Sequence, residues 1–125
     1  MAQIKALAVS EPVRVDARRV SDIISELGET AAQNVIGLAL EQLAVALEST
    51  DRALADGDLA LAVDHADRLS RLAWQIGLLS LAGVAMDLGA LAERRETAAL
   101  AAVRARLMRV GNRSLTAIWD RDKSG

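Results

Sequence analysis

The residues most able to do chemistry fall in one short run, Asp64-His65-Ala66-Asp67-Arg68-Leu69-Ser70-Arg71-Leu72-Ala73-Trp74. His65 is the only histidine in the chain, and there is no cysteine. A lone imidazole without a cluster of further ligands is poor evidence for a metal site. No second histidine offers a choice for a Ser-His-Asp arrangement. No glycine-rich phosphate loop and no carboxylate pair in an obvious cleft is recognisable. The residues therefore predict no catalytic group, no metal and no cofactor, and an enzyme in the ordinary sense is not expected. What remains is a charged surface with one large aromatic. At helical spacing Asp64, Asp67, Arg68, Arg71 and Trp74 share one side. Asp64–Arg68 and Asp67–Arg71 are i,i+4 pairs with the acid first, the favourable order. Read plainly, this is a solvated face of weak ion pairs, each contributing about 0.3–0.5 kcal/mol. Trp74 argues for more. It stands seven residues after Asp67, off the apolar stripe, and exposed Trp and Arg are common interface anchors.

The elements that must carry these residues are helices. Ala and Leu dominate the 125 residues, Phe and Tyr are absent, and proline occurs once, at Pro12. Hydrophobic content of 52% with 26% charged residues suits a folded chain rather than a disordered one. Asp16 can cap a helix over about 17–27, with Val20, Ile23, Ile24 and Leu27 on one face and Gly28 as its stop. Thr30-Ala-Ala-Gln33 reads as a capping box opening a helix to about Asp56 through Val35, Ile36, Ala39, Leu40, Leu43, Leu47 and Leu54. Gly57 ends that helix and Asp58 caps the next, over about 59–76, which buries Ala62, Ala66, Leu69, Leu72, Ala73 and Ile76. Gly77 breaks it. Ser80 is expected to cap a helix to about Arg95, and Thr97 another to about Ile118. The spacing predicts an all-α fold, an antiparallel four-helix bundle over residues 30–119. Residues 1–29 add an arm or short helix within the same domain.

The run from Gly57 to Gly77, GDLALAVDHADRLSRLAWQIG, resembles the active helix of the histidine phosphotransfer domain family, and the resemblance extends over roughly residues 35–110. The family typically runs Gly-Asp, an alanine-rich turn, His-x-Leu-Lys-Gly, and a later Gly. In this chain Asp67 occupies the place of the phosphoryl-accepting His, ten residues after Gly57 and ten before Gly77. Leu69 stands at the family's Leu, Ser70 replaces its Lys and Arg71 its Gly. The following helix continues the apolar pattern with Leu81, Ala85 and Leu88.

The resemblance implies a four-helix carrier whose central helix docks a response-regulator receiver domain or a histidine kinase. It also implies that the acceptor has been lost, because Asp67 cannot form phosphohistidine and a carboxylate repels an incoming phosphoryl group. The expected docking residues are Asp64, Asp67, Arg68, Ser70, Arg71 and Trp74. Two alternatives stay open. One is an active phosphocarrier through His65, although two helical residues turn about 200° and set His65 and Asp67 in different directions. The other is a helical self-assembly or adaptor module outside any phosphorelay.

Charge and hydropathy bound the partners. A net charge of −2 argues against a bulk nucleic-acid binder. Arg104, Arg106, Arg109 and Arg113 form a basic run near the C-terminus, read as a solvated face without the interleaved aromatics of single-strand binders. No stretch of about 18 residues is apolar without interruption by charge, and the start of the chain is too weakly apolar for a signal peptide. A cytoplasmic protein without membrane association is expected.

Overall fold

The computed structural model describes the backbone of residues 12–124 and the side chains of residues 12–118. Among the described residues five helices follow one another: α1 (Ala17–Leu27), α2 (Glu29–Ala55), α3 (Leu59–Gln75), α4 (Leu79–Glu93) and α5 (Thr97–Ser124). Among the described residues there is no strand, only an isolated bridge of Val15 with Leu78. The fold is all-α, as the composition requires. Residues 1–11 of the 1–29 segment expected as an arm or short helix lie outside the described residues.

Two expected caps form and three do not. Asp16 accepts from the Arg18 N–H at 3.1 Å, and Asp58 accepts from the Leu61 N–H at 3.1 Å. Gly28, Gly57 and Gly77 all take positive φ, the left-handed region where glycine alone is unstrained. The Thr30 capping box does not form. With Gly28 at φ 82°, α2 begins at Glu29 without a side-chain cap, and Thr30 falls inside its first turn. Ser80 is likewise inside α4, whose cap position is Leu78. Its hydroxyl is taken by a distant partner, accepting from the Arg14 N–H at 2.7 Å. Thr97 is the first residue of α5, not the residue before it, because Arg95 turns the chain at φ 55°. That helix also runs past Ile118, to Ser124.

Pro12–Asp16 clips the turn between α3 and α4. Asp16 N–H donates to the Gly77 carbonyl at 2.7 Å, and Leu79 N–H donates to the Arg14 carbonyl at 3.0 Å. Arg19 Nε adds a bond to the Gln75 carbonyl at 2.7 Å. Gly77 therefore has two reasons to be glycine: its φ of 84°, and an added Cβ that would stand 2.9 Å from the Asp16 carbonyl oxygen.

Side-chain size decides the packing. In sequence order α2 packs on α3, α3 on α4 and α4 on α5, while α5 returns to α2 and α1 lies against α2. One buried cluster draws on all five helices, from Val20 through Leu43, Leu69 and Leu88 to Ile118. α3 buries Ala62, Ala66 and Ala73 completely, together with Leu69. A Cβ added at Gly89 of α4 would lie 3.6 Å from Ala66 Cβ, so the two helices meet through small residues. At Gly111 of α5 an added Cβ would fall 2.6 Å from Leu47 Cδ2. Gly111 thus marks a close approach between α5 and α2. Leu27 and Val35, expected in the core, are exposed. α1 touches the body through Val20, and its last residue turns outward at Gly28.

α2 is also the one described helix long and apolar enough to meet a membrane-span criterion, with a mean hydropathy of 1.2 over eighteen residues. Only 28% of that window is buried, so much of its apolar surface is not used by the core.

Two stability measurements check this packing. Leu69→Ala should cost about 2–5 kcal/mol in urea unfolding, the range for a fully buried leucine; a change near zero would place Leu69 outside the core. Gly77→Ala should cost about 1–3 kcal/mol for its backbone conformation plus the clash with Asp16. Gly57→Ala, with open space around it, should cost less. Equal losses at the two sites would mean that the Asp16 contact is unimportant.

Candidate functional site

α3 is held between α2 and α4 by its alanine face, which turns the opposite side outward. Asp67, Arg71 and Trp74 are all exposed there, with Trp74 at 66%. Asp67 and Arg71 pair at 3.0 Å, as the i,i+4 spacing predicts. Both side chains are well solvated, so the pair contributes little to stability. Its effect is local: the guanidinium offsets the carboxylate charge at the centre of the face. The other expected pair is absent, since among the described residues no ion pair joins Asp64 and Arg68.

A groove of about 380 Å³ runs between α3 and α4, lined by Asp67, Ser70, Arg71, Trp74, Gln75, Ala82 and Met86. Four of the six expected docking residues therefore meet along one groove. Ser70 is its floor rather than its rim. It is only 8% exposed, and its hydroxyl donates to the Asp67 carbonyl at 2.8 Å. Met86, 65% exposed on α4, is the residue the sequence reading missed. Its only signal was a large apolar side chain off the Leu81–Val84–Ala85–Leu88 stripe, and nothing in the sequence set it beside Trp74. Together they give the groove an apolar edge on each helix.

Arg68 and His65 belong to the other flank of α3. They line a second groove, about 310 Å³, with Leu38, Glu41, Gln42, Val45, Ala46 and Ser49 of α2. The expected docking set is thus divided: Asp67, Ser70, Arg71 and Trp74 face the α4 side, and Arg68 the α2 side, while Asp64 is exposed and lines neither groove. His65 is half-buried and lies away from the Asp67 face, as the 200° rotation requires.

The C-terminal basic run is divided as well. Arg104 turns inward and donates from Nε to Asp51 Oδ1 of α2 at 2.6 Å. That hydrogen bond raises the Arg104 pKa above its ordinary value; attraction to the Asp51 charge adds to this and burial opposes it. Arg106 and Arg113 are exposed and Arg109 is half-buried. Among the described residues no group of three or more His, Asp or Glu side chains is arranged to hold a metal ion. Comparison with known protein families, with characterised proteins and with solved structures finds no match to this chain.

Because Trp74 projects into solvent, Trp74→Ala should change the unfolding free energy by less than about 0.5 kcal/mol, as is usual for surface positions. Chemical denaturation of the two proteins checks this. A loss of several kcal/mol would show the indole to be part of the packing.

Proposed function

We propose that this chain is a docking module of the histidine phosphotransfer type that no longer transfers phosphoryl groups, and that its partner is a response-regulator receiver domain or a histidine kinase. The observation that supports this most directly is the position of Asp67. The residue aligned with the family's acceptor projects from the middle of α3 into solvent, beside an exposed tryptophan and over an open groove. The order of helix contacts, from α2 through α5 and back to α2, suits an antiparallel four-helix bundle with α1 added outside it.

The chemistry of the position argues for binding without transfer. A phosphoacceptor histidine offers a neutral ring nitrogen to phosphorus. Asp67 offers a carboxylate already held by Arg71. The two other changes act in the same direction: Ser70 supplies no cation, and Arg71 sets a long side chain where a glycine would let a partner backbone approach. Docking needs none of the lost groups. Trp74 and Met86 provide apolar contact, and the Asp67–Arg71 pair provides polarity at the centre.

The test combines transfer and binding. Incubated with a phosphorylated receiver domain, the protein should acquire no acid-labile phosphate. In a binding titration, Trp74→Ala and Arg71→Glu should each weaken the receiver complex about tenfold or more, the scale of an interface hot spot, with helical content unchanged. Acid-labile label that vanishes in His65→Ala would overturn the reading in favour of an active carrier. Receiver binding untouched by either substitution would move the docking surface off this face.

A further inference from the structure

α2 carries a row of residues that its own core does not use. Val35, Leu38, Gln42 and Val45 follow one another at spacings of three, four and three residues, the alternation that keeps a seam on one face of a helix. All four are exposed, Leu38 at 58% and Val45 at 64%. Leu38, Gln42 and Val45 also form one wall of the groove whose other wall is His65 and Arg68 of α3. Ridge and groove therefore lie on the same face. Beside the His65 imidazole, the groove holds one acid, Glu41, and one guanidinium, Arg68. Both are exposed, and among the described residues neither has an ion-pair partner.

We propose that the α2–α3 face is the contact between two copies of this chain, related by a two-fold axis near Gln42. The surface is complementary to itself. A two-fold axis brings the same patch of both copies together, so a patch serves only if it carries both halves of each contact. Leu38 and Val45 lie on either side of Gln42, and the axis sets one against the other across the contact. The Gln42 amide has both donors and an acceptor, and so can bond to its own copy. Glu41 and Arg68 stand on opposite walls of the groove, and an axis that passes between them carries each toward its opposite charge on the other copy. A membrane surface would leave Glu41 and Gln42 facing hydrocarbon in the middle of the row, which is costly. The inference is independent of the receiver reading, because no residue of the α3–α4 groove takes part. It moves Arg68 from the receiver-docking set to the contact between copies.

Sedimentation equilibrium on the full chain tests it. The protein should sediment as a dimer at micromolar concentration. The double variant Leu38→Glu, Val45→Glu should sediment as a monomer with unchanged helical circular dichroism. Glu41→Arg and Arg68→Glu should each raise the dimer dissociation constant about tenfold, and the two together should recover most of the loss, which no folding defect would do. The double variant should still bind a receiver domain, and Trp74→Ala should still dimerise. A wild-type monomer throughout the concentration range would overturn the proposal. So would a dimer indifferent to all four substitutions, or association seen only on phospholipid vesicles.

Discussion

Ala62, Ala66 and Ala73 have no atoms beyond Cβ, and α3 meets its neighbours through them. Helices that touch through such residues come close, and close approach fixes how each helix is rotated about its axis. Once the alanines face inward, Leu69 is carried into the core and Asp67, two residues earlier, is turned out. The exposure of Asp67, Arg71 and Trp74 thus follows from the packing of the opposite side. Gly89 against Ala66 and Gly111 against Leu47 extend the same constraint to α4 and α5. A chain without Phe or Tyr cannot fill wide interhelical gaps, so its core depends on closeness rather than bulk.

That constraint also explains why α3 has a groove on each flank. A helix clamped along one side leaves grooves where it meets each neighbour. On the α4 side the groove holds Trp74 and Met86 around the Asp67–Arg71 pair. On the α2 side it holds Leu38 and Val45 with Glu41, Arg68 and His65. The separation gives the proposed functions room to coexist, since a second copy on one flank leaves the other open to a receiver domain.

The features legible in the sequence were those set by local chemistry. Alanine and leucine periodicity placed the helices. Asp16 and Asp58 capped them, and Gly28, Gly57 and Gly77 turned the chain, because each acts within a few residues of itself. Leu69 inside and Trp74 outside followed from the helical repeat alone. The failures share the opposite cause. Ser80 has a competent hydroxyl for a cap, but Arg14, sixty-six residues away, claims it. Thr30 has a capping-box partner at Gln33, but the left-handed Gly28 lets α2 start before the box can form. The docking residues were assigned to a single face of one helix. Which groove each of them lines depends on α2 and α4, so neither the place of Met86 beside Trp74 nor that of Arg68 on the α2 flank was legible.

In the proposed function a receiver domain binds the Asp67–Trp74 face without chemistry passing through it. The most direct measurement is a nuclear magnetic resonance titration of the labelled protein with an unlabelled receiver domain, following the backbone amides of α3 and the two tryptophan indoles. The Trp74 indole and the amides from Asp67 to Gln75 should shift together with Met86. The amides around His65 should stay in place. Shifts centred on His65, or a receiver that perturbs only α5, would contradict it.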